Sequence, residues 1–347
     1  MKYRTNIRVP KPSTKIEQEK VLPTIFLKEY STIEIDKSGY IRISHPDFDY
    51  NQTLWSIDDL QAIIAFEPLE FDSNLITTFM RSQIPIVILD SQGGVLGRIE
   101  PSYKIRPDIL QAQSLMSSEQ KVRIMQAVAW SKLRRLRRFL SRSSRENSEE
   151  LTEACQRLKE AINLVYRQDN VDSLQGMIGH GMLLFYNALP SCLNQDWRYT
   201  GRRENSPIVR MLNFSNKLLE ESVKIAINSV GLNPAHGYWH SSYKSQLGLV
   251  ADFVSEFQLF AESAVVRACN RGQVVPKDFD NCWDSEHLPK IAVSAIADSF
   301  EKKMNERFTY PHTNLNCSYQ ELLYLQAKQL TWFLTGEIDE YYSPDIK

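Results

Sequence analysis

At 347 residues the chain is too long for one ordinary core and implies two domains. Its composition, 42% apolar and 24% charged, is that of a soluble globular protein, and a formal net charge of −1 excludes a globally basic nucleic-acid binder. Any such surface must be a local patch.

No apolar run approaches the ~20 residues needed to span a bilayer, and Met1 to Lys15 lacks the apolar centre of a secretory signal. The five cysteines are odd in number and widely spaced, forming neither a CxxC pair nor a disulfide framework. A cytoplasmic location is the default, with no membrane partner.

In chain order, residues 1–20 carry Pro10, Pro12 and many charges and read as a flexible arm. Residues 21–103 form an N-terminal β domain. Thr32 to Asp36 and Tyr40 to Ile43 alternate around a Lys37-Ser38-Gly39 turn, a hairpin pattern. Asn74 to Arg81 predicts one short helix with Asp72 or Ser73 as its N-cap. Ile84 to Leu89 is an apolar run of the buried-strand type, in which Pro85 belongs at the strand start or on an edge. Ser91 to Gly94 then turns the chain into Val95 to Ile99.

Residues 104–347 form a larger, all-α C-terminal domain. Helical periodicity predicts helices over about 118–141, 149–167, 171–189, 206–230, 245–271, 288–304 and 318–335, broken by Gly, Pro and Asn. The fold class is therefore α+β, with a small sandwich-like β domain ahead of a helical one.

Six segments carry the functional signal: Gln83 to Pro101; Gly176-Met177-Ile178-Gly179 with Phe185 to Pro190; Trp197, Gly201-Arg202-Arg203 and Pro207; Gly231-Leu232-Asn233-Pro234 to His240; Leu249 to Phe257; and Tyr319 to Tyr342 with its Tyr-Ser-Pro end. In this order and spacing they resemble the CRISPR-associated integrases that insert new spacers into the array, the first-numbered Cas proteins. The resemblance implies a homodimer formed through the β domain, joined by a small second Cas protein that helps hold a DNA duplex. It also implies a divalent cation held by a Glu, a His and an acidic residue, which offsets charge on the attacking and leaving oxygens.

Carried over by position, the Glu falls on Ile178, the His on His240 and the acidic pair on Asp252 and Ser255. Ile178 offers no lone pair and Ser255 only a neutral hydroxyl, so His240 and Asp252 remain, which is not a Mg²⁺ site. His180 lies about 200° round the helix from Ile178 and points away. Glu256 lies about 100° past Ser255 and reaches the site only if the helix rotates. Other positions have drifted too: the Asn of the family's Lys-x-x-Asn segment falls on Arg135, and an Asn–Tyr pair falls on Val209 and Asn216.

The expectation is a catalytically inactive relative with no cofactor, binding DNA as a homodimer or as a heterodimer with an active paralogue. The rival is an active Mg- or Mn-dependent integrase or endonuclease using His240, Asp252 and Glu256, with His180 a further candidate. The bland alternative makes His240 a hydrogen-bonded structural residue beside Trp239.

Seven cations fall within fourteen residues: Lys132, Arg134, Arg135, Arg137, Arg138, Arg142 and Arg145. Met125, Ala129, Leu133, Leu136 and Leu140 make the apolar stripe of that helix, leaving the basic residues for phosphate contacts on the remaining arc. The competing explanation is a solvated face paired with Glu149, Glu150 and Glu160. Arg198, Arg202, Arg203 and Arg210 form a second basic cluster, with Trp197 and Tyr199 placed to stack on a base.

Overall fold

The computed structural model describes residues 9–36, 38–46, 55–71, 73–143, 148–199, 206–240, 247–282 and 287–346. Eight strands precede the helical part: β1 (Thr24–Leu27), β2 (Ser31–Ile35), β3 (Tyr40–Ser44), β4 (Trp55–Ser56), β5 (Ala62–Phe66), β6 (Leu69–Glu70), β7 (Ile86–Leu89) and β8 (Val95–Ile99). They form two four-stranded sheets, β1-β5-β7-β8 and β4-β3-β2-β6. The expected hairpin is β2–β3, antiparallel, with Ile33 opposite Ile43. Pro85 directly precedes β7, where its carbonyl accepts the Ile63 N–H and its missing donor costs no ladder bond. The short helix α1 (Ser73–Arg81) follows β6; Asp72 lies outside the described residues.

Strands β1, β5 and β7 of the first sheet are covered on both faces and read as near-continuous apolar runs, while the edge strand β8 is largely exposed. Side chains alternate along each strand and feed two different cores. Ile25, Leu27, Ile63, Ala65 and Ile86 pack with Ile33 and Ile41 of the second sheet and with Leu75 and Phe79 of α1. Phe26, Ile64, Phe66, Val87 and Leu89 join the core of the helical part instead.

That part comprises α2 (Pro107–Ser114), α3 (Ser118–Ser143), α4 (Glu149–Leu164), α5 (Val171–Ala188), α6 (Pro207–Ser229), α7 (Gly248–Asn270), α8 (Lys290–Asn305) and α9 (Tyr319–Leu334). Between α8 and α9 lies a two-stranded ribbon, β9 (Arg307–Thr309) and β10 (Asn316–Ser318), which the all-α expectation did not contain. Helix α9 starts on a capping box in which Ser318 and Glu321 satisfy each other's backbone N–H. Helix α3 opens on a similar reciprocal pair, Ser117 and Gln120.

Both ends of the described chain are docked, the first against expectation. Within the expected flexible arm, residues 13–20 are tied down: Ile16 is fully buried, Lys15 pairs with Glu337 at 2.7 Å and Glu19 accepts the Tyr324 hydroxyl. The chain's other end is also packed inward, with Tyr341, Tyr342, Ser343 and Ile346 all buried. No helix among the described residues is long and apolar enough to cross a membrane.

Candidate functional site

Helix α7 and the loop before it bring His240, Asp252 and Ser255 to one region. The loop 231–240 is fixed by backbone contacts on both sides. The Pro234 carbonyl accepts the first free N–H groups of α7, from Leu249 and Val250. The buried Gln113 amide of α2 bonds to the Asn233 and His236 carbonyls and accepts from the Asn233 N–H. Close approach of loop to helix requires glycine at two points. A Cβ on Gly237 would lie 2.5 Å from the Asp252 carboxylate, and one on Gly248 would lie 2.4 Å from the His240 carbonyl.

The loop wraps Asp252 completely. Its Oδ2 accepts the N–H groups of Tyr238 (2.7 Å) and Trp239 (3.1 Å), while Oδ1 lies 2.8 Å from the His240 N–H and 2.7 Å from the His240 Nδ1. Burial raises the Asp252 pKa, and the bonds from His240 and Trp239 pull it back down. A carboxylate has about four lone-pair positions, and all four are taken. Trp239 stacks on the His240 ring at 4.3 Å. The loop is not helical, so His236 and His240 do not share a helix face.

Ser255 is occupied from the other side. The Lys132 ammonium of α3 donates to the Ser255 carbonyl (2.5 Å) and hydroxyl (3.0 Å). Burial pulls the Lys132 pKa down to about 7, with Glu262 acting in the opposite direction. Glu256, one residue on, is buried against the C-terminal segment: Ser343 donates to its carboxylate at 2.6 Å, and burial raises its pKa to about 7. Ile178 is buried on α5, whereas His180 is exposed. Among the described residues no group of three or more His, Cys, Asp or Glu side chains comes together. For a divalent cation the four carried-over positions offer an apolar group (Ile178), a saturated carboxylate (Asp252), an imidazole bonded to that carboxylate (His240) and a hydroxyl held by an ammonium (Ser255). The donor set does not fit it.

The basic segment on α3 splits in two. The apolar stripe is fully buried at all five expected positions. Lys132 and Arg135, however, lie on the buried arc as well, correcting their assignment to a nucleic-acid face. Arg135 donates to the Glu256 carbonyl and its guanidinium lies over the rings of Phe257 and Phe260. Buried polar partners on α7 make this arc available to cations, which an apolar-stripe count cannot register. Arg134 and Arg138 both donate to Asp345 of the C-terminal segment, not to α4. Arg137, which donates to the Cys155 carbonyl, and Arg142 are exposed.

In the second cluster Arg198 is exposed, and Arg202 and Arg203, with Arg145 of the first cluster, lie outside the described residues. Arg210 is buried, donating to the Cys282 and His287 carbonyls. Trp197 and Tyr199 are buried too, Trp197 edge-on to Phe279, so neither ring offers a stacking face.

A profile of the family described as CRISPR associated protein Cas1 matches residues 34–302. The chain belongs to the Cas1 family. It is 27% identical over 248 residues to the CRISPR-associated endonuclease Cas1 3 of Thermus thermophilus, covering 70% of this chain and 72% of that one. With the CRISPR-associated endonuclease Cas1 1 of Moorella thermoacetica it shares 23% identity over 333 residues, covering 92% and 94%. Among solved structures, a casposase bound to its integration product superposes with a TM-score of 0.70 at 18% identity, covering 94% of this chain and 95% of that one. A Cas1 protein from Thermotoga maritima gives 0.67 at 20%, covering 93% and 99%. These likenesses place the β-rich and helical parts in the Cas1 fold.

Proposed function

We propose that this chain is a non-catalytic Cas1-family protein that binds DNA and a protein partner in CRISPR adaptation. The observation that carries this is Asp252, whose carboxylate closes the 231–240 loop with all its acceptor positions filled. Ile178 at the second ligand position and Ser255 under the Lys132 ammonium point the same way. The rival metal set gains nothing from Glu256, which is buried on Ser343, or from His180, exposed on α5.

DNA contact falls to the exposed cations Arg137, Arg142 and Arg198, with Arg134 and Arg138 at the edge of the same face. A casposase bound to an integration product and a partial Cas6-RT-Cas1–Cas2 complex share the fold, the latter with a TM-score of 0.69 at 16% identity. By analogy the partners are DNA, a second Cas1-type subunit (a copy of this chain or an active paralogue) and a small Cas2-type protein.

The test incubates the full chain with branched and duplex DNA and Mn²⁺. We expect neither cleavage nor strand joining, but salt-sensitive duplex binding that weakens when Arg137 and Arg142 are replaced by Glu. Nuclease or joining activity abolished by Asp252→Ala would refute the proposal.

A further inference from the structure

Away from the loop that carries His240, helices α3, α7 and α8, the first residue of α9 and Ile346 line a half-open cavity of about 530 Å³. Five cations line it: Arg135, Arg138 and Arg142 from α3, Arg267 from α7 and Lys303 from α8. Among the described residues no aspartate or glutamate lines it. The α3 cations recur at i, i+3 and i+7, so one helix face supplies three of them. The other two come from segments far along the chain, and a solvated helix face accounts for neither. Phe139, Leu259 and Val266 form the apolar wall.

A second observation concerns which of these cations already has a partner. Arg135 is 3% exposed, and its Nε and Nη1 donors have no hydrogen-bond partner among the described residues. Only Nη2 is used, toward the Glu256 carbonyl. Both atoms are shut off from solvent and from the cavity, so Arg135 lends its wall charge and not donors. Acidic groups already stand against four of the five: Glu256 beside Arg135, Asp345 on Arg138, and Glu306 on Arg267 and Lys303. Arg142 has no ion pair among the described residues.

We infer that this cavity binds a phosphorylated nucleotide, its phosphate on the arginine forks and its base against Phe139 and Leu259. Guanidinium groups match phosphate oxygens bidentately, and a base needs an apolar, partly aromatic wall. The volume lies in the range of small-ligand sites and is far too narrow for a duplex. The ligand is a free nucleotide or the phosphorylated end of a strand; in the latter form the inference deepens the DNA-binding proposal, and in the former it stands apart from it.

The experiment titrates the full chain by calorimetry with ADP, with a 5′-phosphorylated single-stranded oligonucleotide and with a blunt duplex lacking terminal phosphate. Two variants accompany it, each checked for an unchanged melting temperature. Arg142→Glu reverses an exposed charge, and Ser263→Trp fills the cavity without changing charge. ADP or the oligonucleotide is expected to bind saturably, and both variants to weaken that binding at least tenfold. The duplex is expected to keep its affinity in Ser263→Trp. ADP binding as tightly as the oligonucleotide identifies a free nucleotide; binding of the oligonucleotide alone identifies a strand end. If neither binds, or if Ser263→Trp leaves binding intact, the inference is overturned. The duplex arm reports separately on general DNA binding.

Discussion

Asp252 decides between a ligand and a strut, and its energetics separate the two. A metal ligand facing an open site is removed at little cost to the fold. A carboxylate holding three backbone N–H groups and an imidazole is not, because each buried donor left unpaired costs about 1–3 kcal/mol. Asp252→Ala is therefore expected to lower stability by roughly 3 kcal/mol or more in urea denaturation without any metal or DNA; an unchanged midpoint would remove the structural role. A half-buried carboxylate sets a pH dependence. Glu301 on α8 has its pKa raised to about 7, first by burial and then by Asp298, with Lys28 and Lys302 opposing. A raised carboxylate pKa means that the native state binds the proton more tightly than the unfolded chain. Its contribution is fully present below about pH 4.5 and is lost as pH rises through about 7. The contribution is of order 3 kcal/mol at most. Glu301→Gln should lessen the slope of the stability profile between these pH values, the rest belonging to Glu256, which is raised to about 7 as well; a profile that keeps the full wild-type slope would assign the titration elsewhere. Of these residues, Ile178, His240, Asp252 and Ser255 were put forward by the family resemblance, and α7 with the loop before it brings His240, Asp252 and Ser255 to one region. What each touches was not legible. Lys132 and Arg135 sit within a basic run, and nothing local to that run reveals that α7 presents Ser255 and the Glu256 carbonyl to them.

At the scale of elements, α5 shows how one helix divides its glycines. A Cβ on Gly181 would lie 2.2 Å from Leu133 Cδ2, whereas Cβ atoms on Gly176 and Gly179 would meet nothing within 4 Å. Helix α5 thus packs on α3 through Gly181 and leaves Gly176 and Gly179 facing outward beside the buried Ile178. Gly181→Ala should cost about 1–3 kcal/mol through overpacking, while Gly176→Ala and Gly179→Ala should each stabilise by about 0.5–1 kcal/mol. Thermal melts of the three variants give the comparison, and a stabilised Gly181→Ala would show that Leu133 yields. The long helices were legible, α5 and α6 to within a residue or two, because long periodic segments bounded by Gly, Pro and Asn leave few alternatives, whereas the short α2 (Pro107–Ser114) was not expected. The β9–β10 ribbon was not. Strands of three residues carry too little alternation to register against the flanking helices. The docked C-terminal segment escaped for another reason: Ser343 and Asp345 are held by Glu256 and two arginines remote in sequence.

On the scale of the whole molecule, the first sheet makes the β and helical parts one unit. An unbroken apolar strand told that both sheet faces are covered, but not that one face belongs to the helical core. Phe26 meets Phe300 edge-on at 5.9 Å, and Lys28 of the loop after β1 pairs with Asp298 on α8. Arg98 of β8 donates to Glu221 of α6, a carboxylate almost wholly buried and shared with Lys224. Two domains merely resting on one another would melt separately. A continuous core predicts one cooperative transition, with calorimetric and van't Hoff enthalpies in agreement. Glu221→Ala strips the buried partner from Arg98 and Lys224, and breaking a buried pair on one side costs about 3–5 kcal/mol. If the core is continuous, that variant should still melt in a single endotherm, displaced to lower temperature. Two resolved endotherms in the wild type would overturn the continuous core outright; two in Glu221→Ala alone would mean that this ion pair, and not the shared apolar layer of Phe26, Ile64, Phe66, Val87 and Leu89, joins the two parts.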